Sequence, residues 1–351
     1  MNHTCGFAIV GTGLIADFHA RAVEGVGGAR LMAVCSRDLQ RAKAFGKKYV
    51  CDPYDNLDDL LARPDIDVLL IATPSGMHME AAIAAARAGK HVLCEKPLDV
   101  SLERIDAMIV EHAKAGTSLG CIFQLRYMPV LNPIRKLISE GMLGTLTYAG
   151  VYVPWWRSDE YYADSSWHGT AKLDGGGALI NQAIHMIDIL CDLMPPVRRI
   201  VGCVSNAGHP FIETEDAATA SLLFEGGAVG VIYGSTSAWP GQSKRLEITG
   251  TKGSLVLEDD VLTSLKLANA PNELESLILA EFGQKKEAVS AVGVSNPGDM
   301  SHALHQRCFE DFIKAVENNT TFVINGQSAR KPVAVINAIY RSAREERKCE
   351  V

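Results

Sequence analysis

Three short stretches of this 351-residue chain carry residue types that can move protons or hold phosphate groups. Glu95-Lys96-Pro97 directly follows the apolar run His91-Val92-Leu93-Cys94. A lysine at the end of a strand, partly removed from water, loses some preference for its charged form and can exchange a proton near neutral pH. Taken alone, the tripeptide reads more readily as a solvated loop closed by an ion pair. Asn181 and His185 stand four apart in the apolar segment ALINQAIHMIDIL and so share a helix face. Imidazole titrates near neutrality and is a natural proton acceptor. Asn181 can orient that ring or bind a hydroxyl, but it cannot stabilise an imidazolium as a carboxylate would. Asp188, three residues beyond His185, is a candidate for that task or a helix-surface residue. A lone histidine on an apolar helix is more often a packed residue, so the polar neighbour at 181 and the glycines 175–177 ahead of the helix are what single this one out.

The third stretch is Gly11-Thr12-Gly13-Leu14-Ile15-Ala16, between the strand-like Phe7–Val10 and an amphipathic helix pattern. In that context G-x-G-x-x-A is a dinucleotide-binding turn. One glycine allows the tight turn, the next lets the backbone approach a pyrophosphate, and the helix start offers unpaired N–H groups. Where the next strand ends, Ser36 and Arg37 suit a ribose 2′-phosphate, since guanidinium pairs with phosphate as a fork. Asp38 could instead read an unphosphorylated ribose or cap the following helix. The balance leans to NADP over NAD.

These groups need a scaffold. Strand-like runs at 7–10, 30–35, 68–72, 91–94 and 118–123 alternate with helical patterns at 14–26, 38–49, 57–62, 77–88 and 102–115. Strands separated by such helices make a parallel, doubly wound (Rossmann) sheet of α/β class. After residue 125 the rhythm changes. A helix at 130–140, a strand at 146–153 and a helix at 178–193 lead into strand-like segments at 199–205, 217–224, 228–236, 245–249 and 254–258. Turns at 224–228 and 250–253 suggest hairpins in a mostly antiparallel open sheet. The span 262–300 shows no clear pattern and is expected to contain a long loop, and helical patterns follow at 302–317 and 329–344. The expected domains are therefore 1–125 and 126–351, with the C-terminal helix able to pack back on the first.

Bulk properties exclude several function classes. Lys+Arg of 34 against Asp+Glu of 41 gives a formal charge of −7, which disfavours nucleic acid or an anionic membrane as partner. No apolar run approaches the ~18–20 residues of a membrane span. The nine cysteines are odd in number, scattered and without C-x-x-C, as expected for a reducing compartment, here the cytoplasm. No H-E-x-x-H or comparable ligand spacing appears, and no metal is expected.

The phosphate turn, Glu95-Lys96-Pro97 and Gly175-Gly176-Gly177 before Asn181-Gln182-Ala183-Ile184-His185 together resemble the glucose–fructose oxidoreductase / inositol dehydrogenase / rhizopine catabolism family. Thr73-Pro74-Ser75 with His78, and Arg126-Tyr127 with Pro129, extend the resemblance over essentially the whole chain. It implies a nicotinamide-dependent oxidoreductase acting on a secondary hydroxyl or ketone of a sugar, cyclitol or sugar derivative. Lys96 and His185 would be its catalytic groups, assisted by Asn181, although many members carry aspartate at that last position. The cofactor would meet Gly11, Thr12, Gly13, Leu14, Ile15, Ser36, Arg37, Thr73, Pro74, His78, Glu95, Lys96 and Gln124. Arg126 and Tyr127, expected at the domain cleft, and Arg157, Tyr162 and Trp167 of an aromatic-rich loop are candidate substrate contacts; that loop reads equally as a packed or interfacial segment. Homodimers or homotetramers through the second sheet are implied. A redox-neutral NAD-assisted glycoside hydrolase and a cofactor-sensing regulator remain alternative functions. His302 and His305 could approach the site but read mainly as helix-surface residues.

Overall fold

The computed structural model describes residues 4–284 and 302–351. The first half of the chain runs β1 (Cys5–Val10), α1 (Leu14–Glu24), β2 (Ala29–Cys35), α2 (Leu39–Tyr49), β3 (Asp52–Tyr54), α3 (Leu57–Leu61), β4 (Val68–Ile71), α4 (His78–Arg87), β5 (His91–Cys94), α5 (Leu102–Ala115), β6 (Leu119–Cys121) and α6 (Leu131–Ser139). It continues with β7 (Leu146–Pro154), α7 (Asp159–Ala163), α8 (Ile184–Leu193), β8 (Val197–Ser205), β9 (Ala217–Phe224), β10 (Val229–Ser235), β11 (Arg245–Gly250), β12 (Gly253–Glu258) and β13 (Val261–Leu267). The last elements are α9 (Asn272–Phe282), α10 (Ala303–Glu317), α11 (Gly326–Glu345) and β14 (Cys349–Glu350).

Strands β1 to β6 form one parallel sheet in the order β3-β2-β1-β4-β5-β6. Its central strands are apolar throughout and buried on both faces, as the continuous runs CGFAIV and VLLI require. The order reverses beside β1, so β1 and β4 carry their C-terminal loops to the switch point where doubly wound folds bind nucleotides. The short β3 is missing from the sequence reading. Pro53 sits within it, which the edge of a sheet tolerates because no ladder donor is needed there.

The second sheet has eight strands in the order β13-β12-β11-β7-β10-β9-β8-β14. Every pair is antiparallel except β7 with β10. Both expected hairpins are present, β9–β10 and β11–β12. One face is buried by Ala220, Leu222, Ile232, Leu246 and Ile248. The other carries Val201, Val229, Val231, Tyr148 and Tyr152, and Val201 and Val229 are each 53% exposed.

The span 262–300, unread in the sequence, begins with regular structure. Residues 261–267 are a strand and 272–282 a helix; the rest of that span, 285–301, lies outside the described residues. A register shift between Val256 and Leu257 puts Leu262, Leu265 and Leu267 inward at uneven spacing. A bulge of this kind breaks the two-residue alternation by which a strand is recognised.

The chain divides into two compact units, residues 1–124 with 302–330, and residues 125–301 with 331–351. Both α10 and the first turn of α11 belong to the first unit, and Arg330 of α11 pairs with Asp106 of α5 at 2.7 Å. The apolar side of α10 packs on α1, with Phe309 stacked 6.3 Å from Phe7 of β1.

Candidate active site

In the first unit, Gly11 adopts φ of +108°, and a Cβ there would meet the Ala72 carbonyl oxygen at 2.4 Å. The turn that brings β1 beside the end of β4 therefore demands glycine. Gly13, the N-cap of α1, has no side-chain cap, and a Cβ on it would meet nothing within 4 Å. Open space in front of unpaired helix N–H groups is what a pyrophosphate needs. Leu14 is 59% exposed beside it, with Thr12 and Ile15 partly covered. Two further side chains of the expected cofactor set hold buried polar atoms with no hydrogen-bond partner among the described residues: Thr73 Oγ1 and Gln124 Oε1. Such atoms are costly unless a ligand or water completes them. The residues present thus fit a dinucleotide.

At the end of β2, Ser36 Oγ accepts from the Asp38 amide at 3.3 Å and from Thr12 Oγ1 at 3.4 Å. Asp38 caps α2, accepting from the Gln40 and Arg41 amides at 2.9 and 3.3 Å. Arg37 is exposed. His78 is placed differently from the expectation of a cofactor contact. It is buried, with Nε2 2.9 Å from the Thr73 carbonyl oxygen and Nδ1 3.0 Å from that of Pro97. The ring ties the loop after β4, where Pro74 begins a short turn, to the loop after β5.

Glu95 is buried beneath Lys96. Its Oε1 accepts from His19 Nε2 at 2.8 Å and its Oε2 from the Lys96 amide at 3.0 Å. Burial opposes ionisation, but the hydrogen bond and charge of His19, with His305 and Lys96, outweigh it and hold the carboxyl down at about 2. Neither His19 nor His305 was singled out as a partner of Glu95 by sequence, and His305 is buried rather than on a helix surface.

In the second unit, the segment entering α8 is wound as a π-helix over Ala178–Ala183, a local widening that often accompanies function. The glycines before it answer to packing. A Cβ on Gly176 would meet Tyr340 Oη at 2.3 Å, and one on Gly177 the Glu215 carbonyl oxygen at 1.7 Å. The buried Glu215 carboxyl accepts from the Gly177 and Leu179 amides at 2.9 Å each and from Tyr340 Oη at 2.8 Å. His185 follows in the first turn of α8, 8% exposed. Asn181 donates through Nδ2 to Asp174 Oδ1 at 2.8 Å, and Asp174 Oδ2 accepts from the Gly169 amide at 2.9 Å. With its NH₂ so directed, Asn181 turns its carbonyl oxygen the other way, as an acceptor. Asp174 was missed by sequence reading, although it directly precedes the three glycines.

Three residues weighed from the sequence have protein partners in this unit. Asp188 does not support His185 and is not on the helix surface. Its carboxylate accepts both Nε and Nη2 of Arg126 at 2.6 Å, with both side chains buried. Asp192 reaches Arg126 at 3.4 Å and Arg135 at 2.9 Å. Arg126 is therefore held in a bidentate pair, beside a half-buried Tyr127. Tyr162 is likewise packed, 6% exposed and bonded through Oη to Thr236 Oγ1 at 2.8 Å. Several other side chains of this loop form a cluster. Tyr161 stacks on His168 at 4.5 Å, and Trp167 lies 4.0 Å from the same ring. The buried Arg157 lies 5.3 and 5.5 Å from the Trp155 and Tyr161 rings, within cation–π range.

Comparison with known proteins assigns this arrangement. Residues 5–123 match the model of the oxidoreductase family with an NAD-binding Rossmann fold, and residues 132–256 match the GFO/IDH/MocA C-terminal domain. The chain belongs to the Gfo/Idh/MocA oxidoreductase family. An uncharacterised oxidoreductase of Synechocystis sp. is 31% identical, covering 73% of this chain and 72% of that one. Inositol 2-dehydrogenase of Rhizobium meliloti is 26% identical over 99% of both chains. The crystal structure of the WlbA dehydrogenase from Bordetella pertussis, in complex with NADH and UDP-GlcNAcA, superposes with a TM-score of 0.88 at 27% identity, over 100% of this chain and 99% of the other. Membership in this family accounts for both sheets at once. No helix of the described residues is long and apolar enough to cross a membrane.

Proposed function

We propose that this chain is a nicotinamide-dependent dehydrogenase that interconverts a secondary alcohol and a ketone on a polyhydroxylated ring. The observation that carries the reading is the open cradle at Gly13 together with the orphaned Thr73 Oγ1 and Gln124 Oε1 of the same unit. The bound nicotinamide supplies hydride acceptance and donation. The protein's own task is to bind, to orient and to move one proton. Lys96 exchanges that proton with the reacting hydroxyl, and His185 serves as a second proton acceptor. Asn181, directed by Asp174, presents its carbonyl oxygen to a hydroxyl or to the imidazole. Arg157 and Trp167, in their aromatic cluster, and Tyr127 contact the ring and its substituents. The relatives named for inositol and the one solved with UDP-GlcNAcA support a cyclic polyol or a sugar nucleotide as substrate class. Absorbance of the reduced nicotinamide, followed across inositols, free sugars and sugar nucleotides with each cofactor, tests the proposal. A redox signal supports it, and silence across the panel with cofactor binding intact removes it.

For the cofactor, NADP is the favoured form. Asp38 is committed to capping α2, while Ser36 and the exposed Arg37 stand at the end of β2. Replacing Arg37 by Asp is expected to shift the NADPH-to-NADH affinity ratio towards NADH by about tenfold or more, the worth of one charge-assisted contact. Titration of both reduced cofactors by fluorescence reads this directly, and an unchanged ratio would show that Arg37 does not meet the 2′-phosphate.

The open face of the second sheet is the proposed contact between copies. Leu223, Val229 and Tyr148 lie side by side across β9, β10 and β7, an apolar row uncommon on an unpartnered surface. Val229→Asp is expected to lower the sedimenting mass to that of one chain, and an unaltered mass would place the contact elsewhere. The nine free cysteines suit a reducing compartment such as the cytoplasm.

A further inference from the structure

His19, Glu95 and His305 are all buried, and one ligand-type atom from each lies within 4.8 Å of the others. They come from α1, from the end of β5 and from the first turn of α10. Two imidazoles and a carboxylate could bind a divalent metal, but ligand atoms around a tetrahedral zinc stand about 3.3 Å apart. His19 Nε2 and Glu95 Oε1 are 2.8 Å apart, the separation of a direct hydrogen bond to a carboxylate.

Glu95 uses each oxygen once. Oε1 faces helix α1 through His19, and Oε2 holds the main-chain amide of Lys96. His19 itself is completely buried. Its ring meets Phe309 edge-on at 5.6 Å and lies 6.0 Å from the His305 ring, so α10 fixes it from behind. Six residues before His19, the same helix begins at the Gly13 cradle. The carboxylate bridge therefore makes one rigid helix the common reference for the phosphate cradle and for the backbone of the lysine. Across the tripeptide, His78 holds the Pro97 carbonyl, so the main chain of Lys96 is gripped on both sides.

We propose that His19 is a positioning residue for Lys96: acting through the Glu95 carboxylate, it sets where the main chain of the lysine lies relative to the cofactor's phosphate cradle. The proposal rests on the proton-transfer role given to Lys96 above. Displacing a reacting group by about 1 Å can cost on the order of 10²-fold in rate, so a tether of this kind acts on turnover rather than on binding.

The test uses the full chain with two substitutions. His19→Leu removes the donor, and His19→Gln keeps an N–H at similar reach. With oxidised cofactor saturating, His19→Leu is expected to lower kcat by about 10- to 100-fold, with sugar KM and cofactor Kd little changed, and His19→Gln to restore most of the loss. A second readout needs no substrate. Hydrogen exchange of the peptide spanning residues 94–98 should quicken in His19→Leu and return towards the native rate in His19→Gln. The proposal is overturned by native kcat and native exchange in His19→Leu, by equal losses in both variants, or by stoichiometric zinc in the purified wild type that His19→Gln fails to retain. If no sugar is turned over but exchange behaves as expected, the tether is upheld and the dehydrogenase reading falls. Should His19→Leu fail to fold, Glu95→Ala takes its place in the exchange measurement. Faster exchange at Lys96 then supports the tether, and native exchange overturns it.

Discussion

Lys96→Ala is expected to lower turnover by about 10²–10⁴-fold, the usual contribution of a general acid–base group, while reduced cofactor still binds. The variant isolates the side chain cleanly. Glu95 grips residue 96 through the main-chain amide, which alanine retains, and the other oxygen of Glu95 is held by His19. The loop therefore keeps its anchors when the amine is gone. Steady-state kinetics on the best substrate of the panel, with cofactor fluorescence alongside, separates the outcomes. Native turnover would remove Lys96 from the chemistry. Lost turnover with lost cofactor binding would make it a binding residue instead.

Arg126→Leu is expected to destabilise the second unit by about 3–5 kcal/mol, the cost of leaving a buried partner uncompensated. The partner is Asp188, completely buried and held by two 2.6 Å contacts. Burial pushes its carboxyl up to about 6 against the downward pull of Arg126; without the arginine it rises further. A carboxyl whose folded-state pKa lies above its unfolded value near 4 favours the folded state while protonated, and that advantage fades as pH rises through the folded value. The deficit of the variant should thus be small near pH 5 and clearly larger near pH 8. Urea unfolding of both proteins at those two pH values measures it. An equal deficit at both would show that Asp188 ionisation is not the cause. A stable variant with raised sugar KM would return Arg126 to the substrate contacts.

Arg126 also illustrates what a sequence conceals. Its place after the last Rossmann strand is legible, and arginine beside tyrosine invites a ligand. What holds it is a carboxylate 62 residues away that the fold delivers to it. The elements that read correctly are those whose pattern is local: the buried strands of the first sheet, the Gly11–Ala16 turn, the two hairpins. The misses are long-range or irregular. The bulge between β12 and β13 hid a strand, and Asp174 and Glu215 acquire their partners only when the glycine-rich entry to α8 folds against them. Gly176 and Gly177 were visible as a motif, yet the contacts that demand them, Tyr340 and the Glu215 carbonyl, are not in the motif.

The return of α10 to the first unit has a consequence for how the protein is made. The ribosome releases the strands and helices of residues 1–124 well before it reaches 302–330, with residues 125–301 in between. At about 5–20 residues per second, that interval lasts roughly ten to thirty-five seconds. Throughout it, Phe7 and His19 lack the cover of Phe309, and the nascent nucleotide-binding half presents an apolar flank to the cell. A gene fragment ending at residue 124 would leave that flank bare permanently.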